Sequence, residues 1–330
     1  MAEAIISPGV FTRENDQSFL SQQPIQAGAA IIGPTVKGPV EVPTIVTSYS
    51  EYKNKFGATF ESGSGTNAQS FTFLTSIAAY NYFQSGGDTL LVTRVVKGDF
   101  TSADATINDP SDAAVFELAT QGKGVIFNST STENDDGTLD LGTQDNIRWE
   151  ISSRDTTAGT FTLVIRRGDD KTNAKTILET YANVSLDPYS DNYIEKAIGN
   201  QVLTKLSDDN GEPFLQLSGS YNNRSRYVYV KTVNQQTPNY FDNSGNAKTI
   251  FTGTIPAVAS GSFGNAIGTV TFGGTDNAYY HNITEGTNIQ GLQGTDYTDA
   301  IKLLKNRDAY QFNSLVVPGL LSDMGEGDTP

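Results

Sequence analysis

Thr44-Ile45-Val46-Thr47-Ser48-Tyr49-Ser50-Glu51-Tyr52-Lys53-Asn54-Lys55-Phe56-Gly57 holds a strand, a helix start and a helix stop in one short stretch. Ile45 and Val46 are the β-branched core of a strand. Ser48 followed by Glu51 has the spacing of a capping box: the Ser48 hydroxyl accepts from the Glu51 N–H, and the Glu51 carboxylate reaches back to the Ser48 N–H. Gly57 stands where a helix needs a left-handed exit residue. Strand followed at once by helix is the beginning of an α/β layer.

Working outward, Ala29–Ile32 reads as a second strand, separated from Thr44–Val46 by Gly-Pro turns at Gly33 and Gly38. Gly57 to Gly65 reads as loop. A longer helix is expected from about Ala68 to Gln84, with Phe73, Ile77, Tyr80 and Phe83 as one buried stripe. Gly86 and Gly87 end it. Thr89–Val96 is almost continuously apolar, which suits a strand covered on both faces. Residues 1–24 show neither a period of 2 nor one of 3.6, and read as an extended arm in which Val10 and Phe11 invite pairing with a neighbour.

After Gly98 the texture becomes β-rich. Strand pieces are expected at Val125–Asn128, Ile147–Ser152, Thr160–Arg166, 226–232, Thr249–Thr252 and Gly268–Phe272. Asp135-Asp136-Gly137 and Arg167-Gly168-Asp169-Asp170 read as hairpin turns in which Gly supplies a positive φ. Trp149, in the alternation Ile147, Trp149, Ile151, reads as sheet core. Glu179–Ser185 is a strand, then comes a turn at Pro188, and then a helix capped by Ser190. Thr298–Leu304 opens a further helix, and Phe312–Val317 a buried strand that leaves through Pro318-Gly319.

Composition narrows the chemistry. The chain has 330 residues, 37% hydrophobic and 18% charged, with 17 Phe and 15 Tyr, so it has apolar material for more than one core. It has no cysteine, hence no disulfide or thiolate metal site. A net charge of −15 argues against binding a phosphate backbone over a broad surface. No apolar run approaches the roughly 20 residues of a membrane span, and residues 1–6 do not read as a signal peptide. His281 is the only histidine, and neither GxSxG nor HExxH accompanies it, so no catalytic role is expected. Gly63-Ser64-Gly65-Thr66-Asn67-Ala68 fits GxGxxA without a strand feeding directly into it, and reads as loop. The pairs Asp135-Asp136, Asp169-Asp170 and Asp208-Asp209 lack the alternating ligands of a calcium loop. No enzyme activity, cofactor or metal is expected.

The ordered set Ser7-Pro8-Gly9-Val10, Gly33 to Pro39, Thr44 to Gly57, and Tyr82 to Val95 resembles the start of the contractile tail sheath proteins of bacteriophages. Residues 179–198 and 298–319 resemble two later stretches of the same family. The resemblance implies an α+β multidomain chain. Residues 25–98 and 296–330 would make a discontinuous α/β inner domain, residues 99–295 an inserted β-rich domain, sandwich- or barrel-like, displayed outward. Residues 1–24 would be an arm, with Pro8, Gly9, Val10, Phe11 and Glu14 joining a neighbouring subunit by strand exchange. The implied partners are other sheath subunits, the tail tube protein, the baseplate and the tail terminator, with no nucleic acid and no membrane insertion. The implied place is the virion tail, with assembly in the host cytoplasm. The implied function is to contract and drive the tube through the host envelope. Family members continue past Pro330, so this chain is expected to be their first part, with the arm's acceptor edge beyond it. The alternative from another class is a secreted or surface β-rich carbohydrate-binding adhesin module.

Overall fold

An apolar run such as Leu90–Arg94 is stable only in the middle of a sheet, and every residue of that strand is buried. The structure is a computed structural model, whose described residues are 25–62, 69–130, 133–268, 292 and 294–320. The chain is mixed α/β and β-rich, with several sheets and few helices. One four-stranded sheet contains β1 (Ile25–Gly33), β2 (Thr44–Val46), β5 (Leu90–Arg94) and β15 (Tyr310–Val316), in the order β15-β1-β5-β2. β1 runs parallel to both β15 and β5, while β2 is antiparallel to β5. Gln26 lies opposite Gln311, so opposite ends of the sequence form one ladder.

Alternation along β1 divides the packing. Ala29 and Ile31 join Val46, Leu90 and Val92 under the helices α1 (Tyr49–Phe56) and α2 (Leu74–Gln84), which contribute Tyr52, Phe56 and Ala79. Ala30, Ile32 and Leu91 face the other way, in a cluster with Ala300, Leu303 and Leu304 of α5 (Thr298–Leu304). The sheet therefore lies between two helical layers.

α1 begins as the sequence indicates. The Ser48 hydroxyl accepts from the Glu51 N–H at 3.1 Å. The return bond differs: Glu51 accepts from the Thr47 N–H at 2.8 Å and the Thr47 hydroxyl at 2.9 Å, not from Ser48. Gly57 has φ 73° and ψ 163°, which is not left-handed helical but an extended mirror-image conformation open essentially to glycine alone. A Cβ there would also stand 2.7 Å from Val36.

α2 starts later than its sequence suggests. Gln69–Thr72 forms strand β4, hairpin partner of β3 (Thr59–Ser62) in a segment expected to be loop and helix. Phe71 and Phe73 alternate as a strand does, and this overrode the helical spacing. The expected stripe is also turned around. Phe73 is buried, but Ile77 and Tyr80 are 44% and 45% exposed, and Thr75, Ser76 and Ala79 face the sheet instead. Small side chains let the helix approach closely: a Cβ on Gly33 would lie 2.3 Å from the Thr75 hydroxyl.

Between these parts runs a β-sandwich. One sheet is β13-β7-β6, built from β6 (Ser102–Asn108), β7 (Ala114–Lys123) and β13 (Val228–Val233). The other is β10-β9-β8-β14, built from β8 (Ile147–Asp155), β9 (Thr160–Arg167), β10 (Ile177–Ser185) and β14 (Ala259–Ser262). Phe116 of β7 stacks on Phe161 of β9 at 5.6 Å, and Trp149 lies in the same core. Backbone bonds between Asp104 and Gly264 join the sheets along one side, giving a partly closed, barrel-like outline. A separate two-stranded ribbon, β11 (Val202–Ser207) and β12 (Pro213–Ser218), projects from it.

Four local expectations are corrected. Val125–Phe127 is a 3-10 helix, not a strand. Thr249–Thr252 is a helical turn, α4, in which β-forming residues serve a loop. The helix α3 (Ile194–Ile198) starts after Tyr193 with no side-chain cap, while the Ser190 hydroxyl bonds the Asn192 side chain. β15 is an edge strand with Leu315 and Val316 more than 40% exposed, rather than a buried one. The expected piece Gly268–Phe272 lies mostly outside the described residues, as does the GxGxxA segment 63–68.

Candidate functional site

Two features stand out as places where this fold can act on something else: an open sheet edge and a polar seam. The edge is β15. Its inner side is hydrogen-bonded to β1, and its outer side has no partner strand among the described residues. Unpaired ladder groups on an edge are a template for another strand. Beside it lies an open groove of about 1130 Å³, lined by Gln26, Gly28, Asp88, Lys305, Arg307 and Gln311 among others. β1 begins at residue 25, beside this groove. Pro8, Gly9, Val10, Phe11 and Glu14 themselves lie outside the described residues, and so does His281.

The seam lies between the four-stranded sheet and the sandwich. Arg94 ends β5 fully buried, and one guanidinium nitrogen donates to the carbonyls of Gly38 and Lys123, both at 2.8 Å. The Lys123 N–H also donates to the Gly38 carbonyl at 3.1 Å, and the guanidinium sits 5.2 Å from the Phe100 ring centre. Burial and the nearby Arg94 charge hold the Lys123 ammonium below the ordinary lysine range, although Glu41 opposes them. Farther along, Lys205 of the ribbon pairs with Glu41 at 2.9 Å and Asp299 at 2.5 Å, and Lys302 pairs with Glu212 at 3.3 Å. Partial burial works to lower the Lys205 pKa, but the two carboxylates outweigh it and raise it. Lys37 and Asp145 pair across the seam at 2.9 Å. Sequence reading missed these residues. A lone Arg in the apolar run Leu90–Val96 was a legible signal. Lys205 gave none, because its partners are 164 and 94 positions away.

The three Asp pairs do not converge. Asp136 bonds Lys171 at 2.8 Å and the Thr138 hydroxyl at 2.6 Å. Asp208 caps its own turn, accepting from the Asn210 and Glu212 N–H groups. Asp170 alone is buried, and it anchors an ionic cluster. Arg166 donates to it twice at 2.8 Å, Arg148 approaches to 3.6 Å, and the Thr176 N–H donates at 2.9 Å. Arg166 also donates to Glu150 at 3.0 Å, and Arg148 to Glu133 at 3.2 Å and to the Gly137 carbonyl at 2.9 Å. Arg148 and Arg166 face each other directly across β8 and β9, which would be repulsive without Asp170 between them. Gly168 in this turn does not have the expected positive φ; it is required because a Cβ would fall 1.8 Å from Asn146 Oδ1. Among the described residues no three His, Asp or Glu side chains are grouped to hold a metal.

Several carboxylates titrate below their ordinary range. The Lys171 ammonium does this at Asp136, and the Glu212 and Asn246 N–H groups do it at Asp208 and Asp242. At Asp104 partial burial opposes the shift, but Lys231 and Asn265 prevail. Each group therefore favours the folded state fully above its unfolded value of about 4, and this contribution is lost as pH falls through the lower folded value. Melting temperature is expected to be level from about pH 8 to 5 and to fall below about pH 4. A rise in melting temperature on acidification from about pH 5 to 3 would contradict this.

No family model matches the chain, and no curated protein matches it. Among solved structures, a sheath tail protein from Listeria innocua is similar over 94% of this chain and 44% of its own, with 9% identity and a TM-score of 0.41. A sheath tail protein from Desulfitobacterium hafniense is similar over 69% of this chain and 39% of its own, with 12% identity and a TM-score of 0.25. Both likenesses are remote, and the chain spans less than half the length of either protein.

Proposed function

We propose that the chain is a structural subunit, or the first part of one, of a contractile tail sheath. Residues 25–98 and 296–330 form its inner domain, against the tail tube. The β-rich residues 99–295 are inserted between them and displayed outward. The observation that supports this most is the parallel pairing of β1 with β15. Segments with sheath-like sequence at opposite ends of the chain meet in one sheet, with the sandwich carried between them.

Residues 1–24, with Pro8, Gly9, Val10, Phe11 and Glu14, add a strand to a neighbouring copy. Backbone ladders tolerate rigid movement of the domains they join as long as the connecting residues bend, which suits a lattice that shortens. The sequence placed the acceptor beyond Pro330; the free edge of β15 offers one within this chain. Other copies, the tube, the baseplate and the tail terminator are the partners of this reading, and the virion tail is its location. The energy of contraction is the difference between two packings of the same subunits, so no cofactor or catalytic group enters.

The test is co-expression of two differently tagged copies, with and without residues 1–24. Capture of one copy through the other, as rings or striated tubes in negative stain, and loss of that capture on deleting the arm are the expected results. Dispersed monomers that bind glycans on an array would overturn this reading in favour of an adhesin.

A further inference from the structure

The β11–β12 ribbon belongs to the sandwich by chain and to the four-stranded sheet by contact. Neither strand has a fully buried residue. A two-stranded hairpin alone is marginally stable in water, so this one keeps its place by what it leans on. Leu215 packs against the cluster that contains α5. Beyond that its contacts with the sheet side are charged: Lys205 with Glu41 and Asp299, and Glu212 with Lys302.

We propose that the ribbon is an electrostatic latch. It holds α5, and the β15 strand that follows, against the sandwich through Lys205 and Lys302, and it lets go when these pairs are screened. Lys302 and Glu212 are open to counter-ions, 37% and 59% exposed, and Lys205 is reached from the side of Asp299, which is 38% exposed, while Glu41 is 19% exposed. The screening length is about 8 Å at physiological ionic strength. The Arg94 anchor on the other part of the seam is fully buried and bonded to carbonyls, so salt does not reach it. The Lys37–Asp145 pair, 12% and 20% exposed, lies beside Gly38 on the Arg94 side of the seam and belongs to this fixed end. A fixed end and a releasable end on one seam make a hinge, on which the sandwich can swing without unfolding. By strand alternation Leu203, Leu215 and Leu217 share the face of Lys205, and release uncovers more of that face. The inference does not depend on the sheath reading, because it concerns one chain.

Hydrogen exchange of the full chain at low and high salt tests it, read by peptide. Residues 202–218 and 298–316 are expected to exchange roughly tenfold faster at high salt, in line with the loss of a small ion-pair network. Residues 147–167 in the sandwich should not change. Lys205→Met should show the fast exchange already at low salt, with little further salt effect. Lys171→Met, which removes the same charge from an exposed pair with Asp136 elsewhere on the sandwich, should behave as the unaltered chain. Exchange independent of salt, Lys205→Met indistinguishable from the unaltered chain, or acceleration of 147–167 together with the ribbon would each overturn the latch.

Discussion

Replacing Asp170 by alanine is expected to lower the stability of the sandwich by about 3–5 kcal/mol, the cost of leaving a buried charge without its partner. That corresponds to a drop in melting temperature of roughly 6–20 °C for a unit of this size. The reason is geometric. Arg148 and Arg166 are both essentially inaccessible to water and lie opposite each other on adjacent strands. Among the described residues Asp170 is the only fully buried carboxylate in contact with either of them, since Glu133 and Glu150 are 38% and 14% exposed. Without it, two guanidinium groups share one desolvated site. Asp169→Ala is the matched control, because its pair with Arg167 is largely exposed and its loss should change stability by no more than about 0.5 kcal/mol. Exchanging the trio together, as Arg148→Met, Arg166→Met and Asp170→Leu, should recover much of the loss, since apolar replacement of a buried ionic set is often neutral or favourable. Thermal melts of these variants decide it. If Asp170→Ala costs less than about 1 kcal/mol, the cluster is not desolvated as described.

Excising residues 100–294 and closing the gap with a Gly/Ser bridge is expected to leave a soluble, cooperatively folding α/β core. The four strands β15, β1, β5 and β2 all remain, and so do α1, α2 and α5 on the two faces. The sandwich keeps its own apolar core around Trp149, Phe116 and Phe161. The cut also takes Phe100 and Leu292 from the sheet's second cluster and the Lys123 carbonyl from Arg94, so the core is expected to melt at a lower temperature than the sheet in the whole chain. The converse cut is more damaging. Removing residues 296–330 takes away β15 and α5, exposes Ala30, Ile32 and Leu91, and should make residues 25–98 prone to aggregation. Circular dichroism and limited proteolysis of both variants check the pair. Residues 25–98 folding equally well with and without the return segment would show that the two stretches are not one domain.

What the sequence revealed and what it hid differ by range. Thr44–Val46, the Ser48 cap and Thr298–Leu304 were legible because local propensity and tertiary context agree there. β4 was hidden because Phe73 fits the helical spacing with Ile77 and Tyr80 as well as it fits an alternation with Phe71. The outward turn of Ile77 and Tyr80 was hidden for another reason. Which face of a helix is buried depends on how closely it must approach the sheet, and Gly33 fixes that from outside the helix. In the Arg167–Asp170 turn, the Asp-Gly composition pointed to an ordinary hairpin. The burial of Asp170 depends on Arg148, brought in by another strand, and no short-range pattern records it. The candidate surfaces follow the same rule: Arg94 was visible as a lone charge, while the Lys205 latch joins residues far apart in the chain.

The ladder between β1 and β15 has a consequence for how the protein is made. Gln26 and Gln311, which face each other across it, are 285 positions apart. At roughly 5–20 residues per second, a ribosome needs on the order of 15–60 s to deliver the second after the first. The sandwich residues emerge within that interval and can fold as a unit. β1 has only β5 to pair with until the last strand arrives, so its other edge stays open on the nascent chain. A codon run that slows translation between the sandwich and α5 lengthens this window, and a chaperone that shields β1 has its work during it.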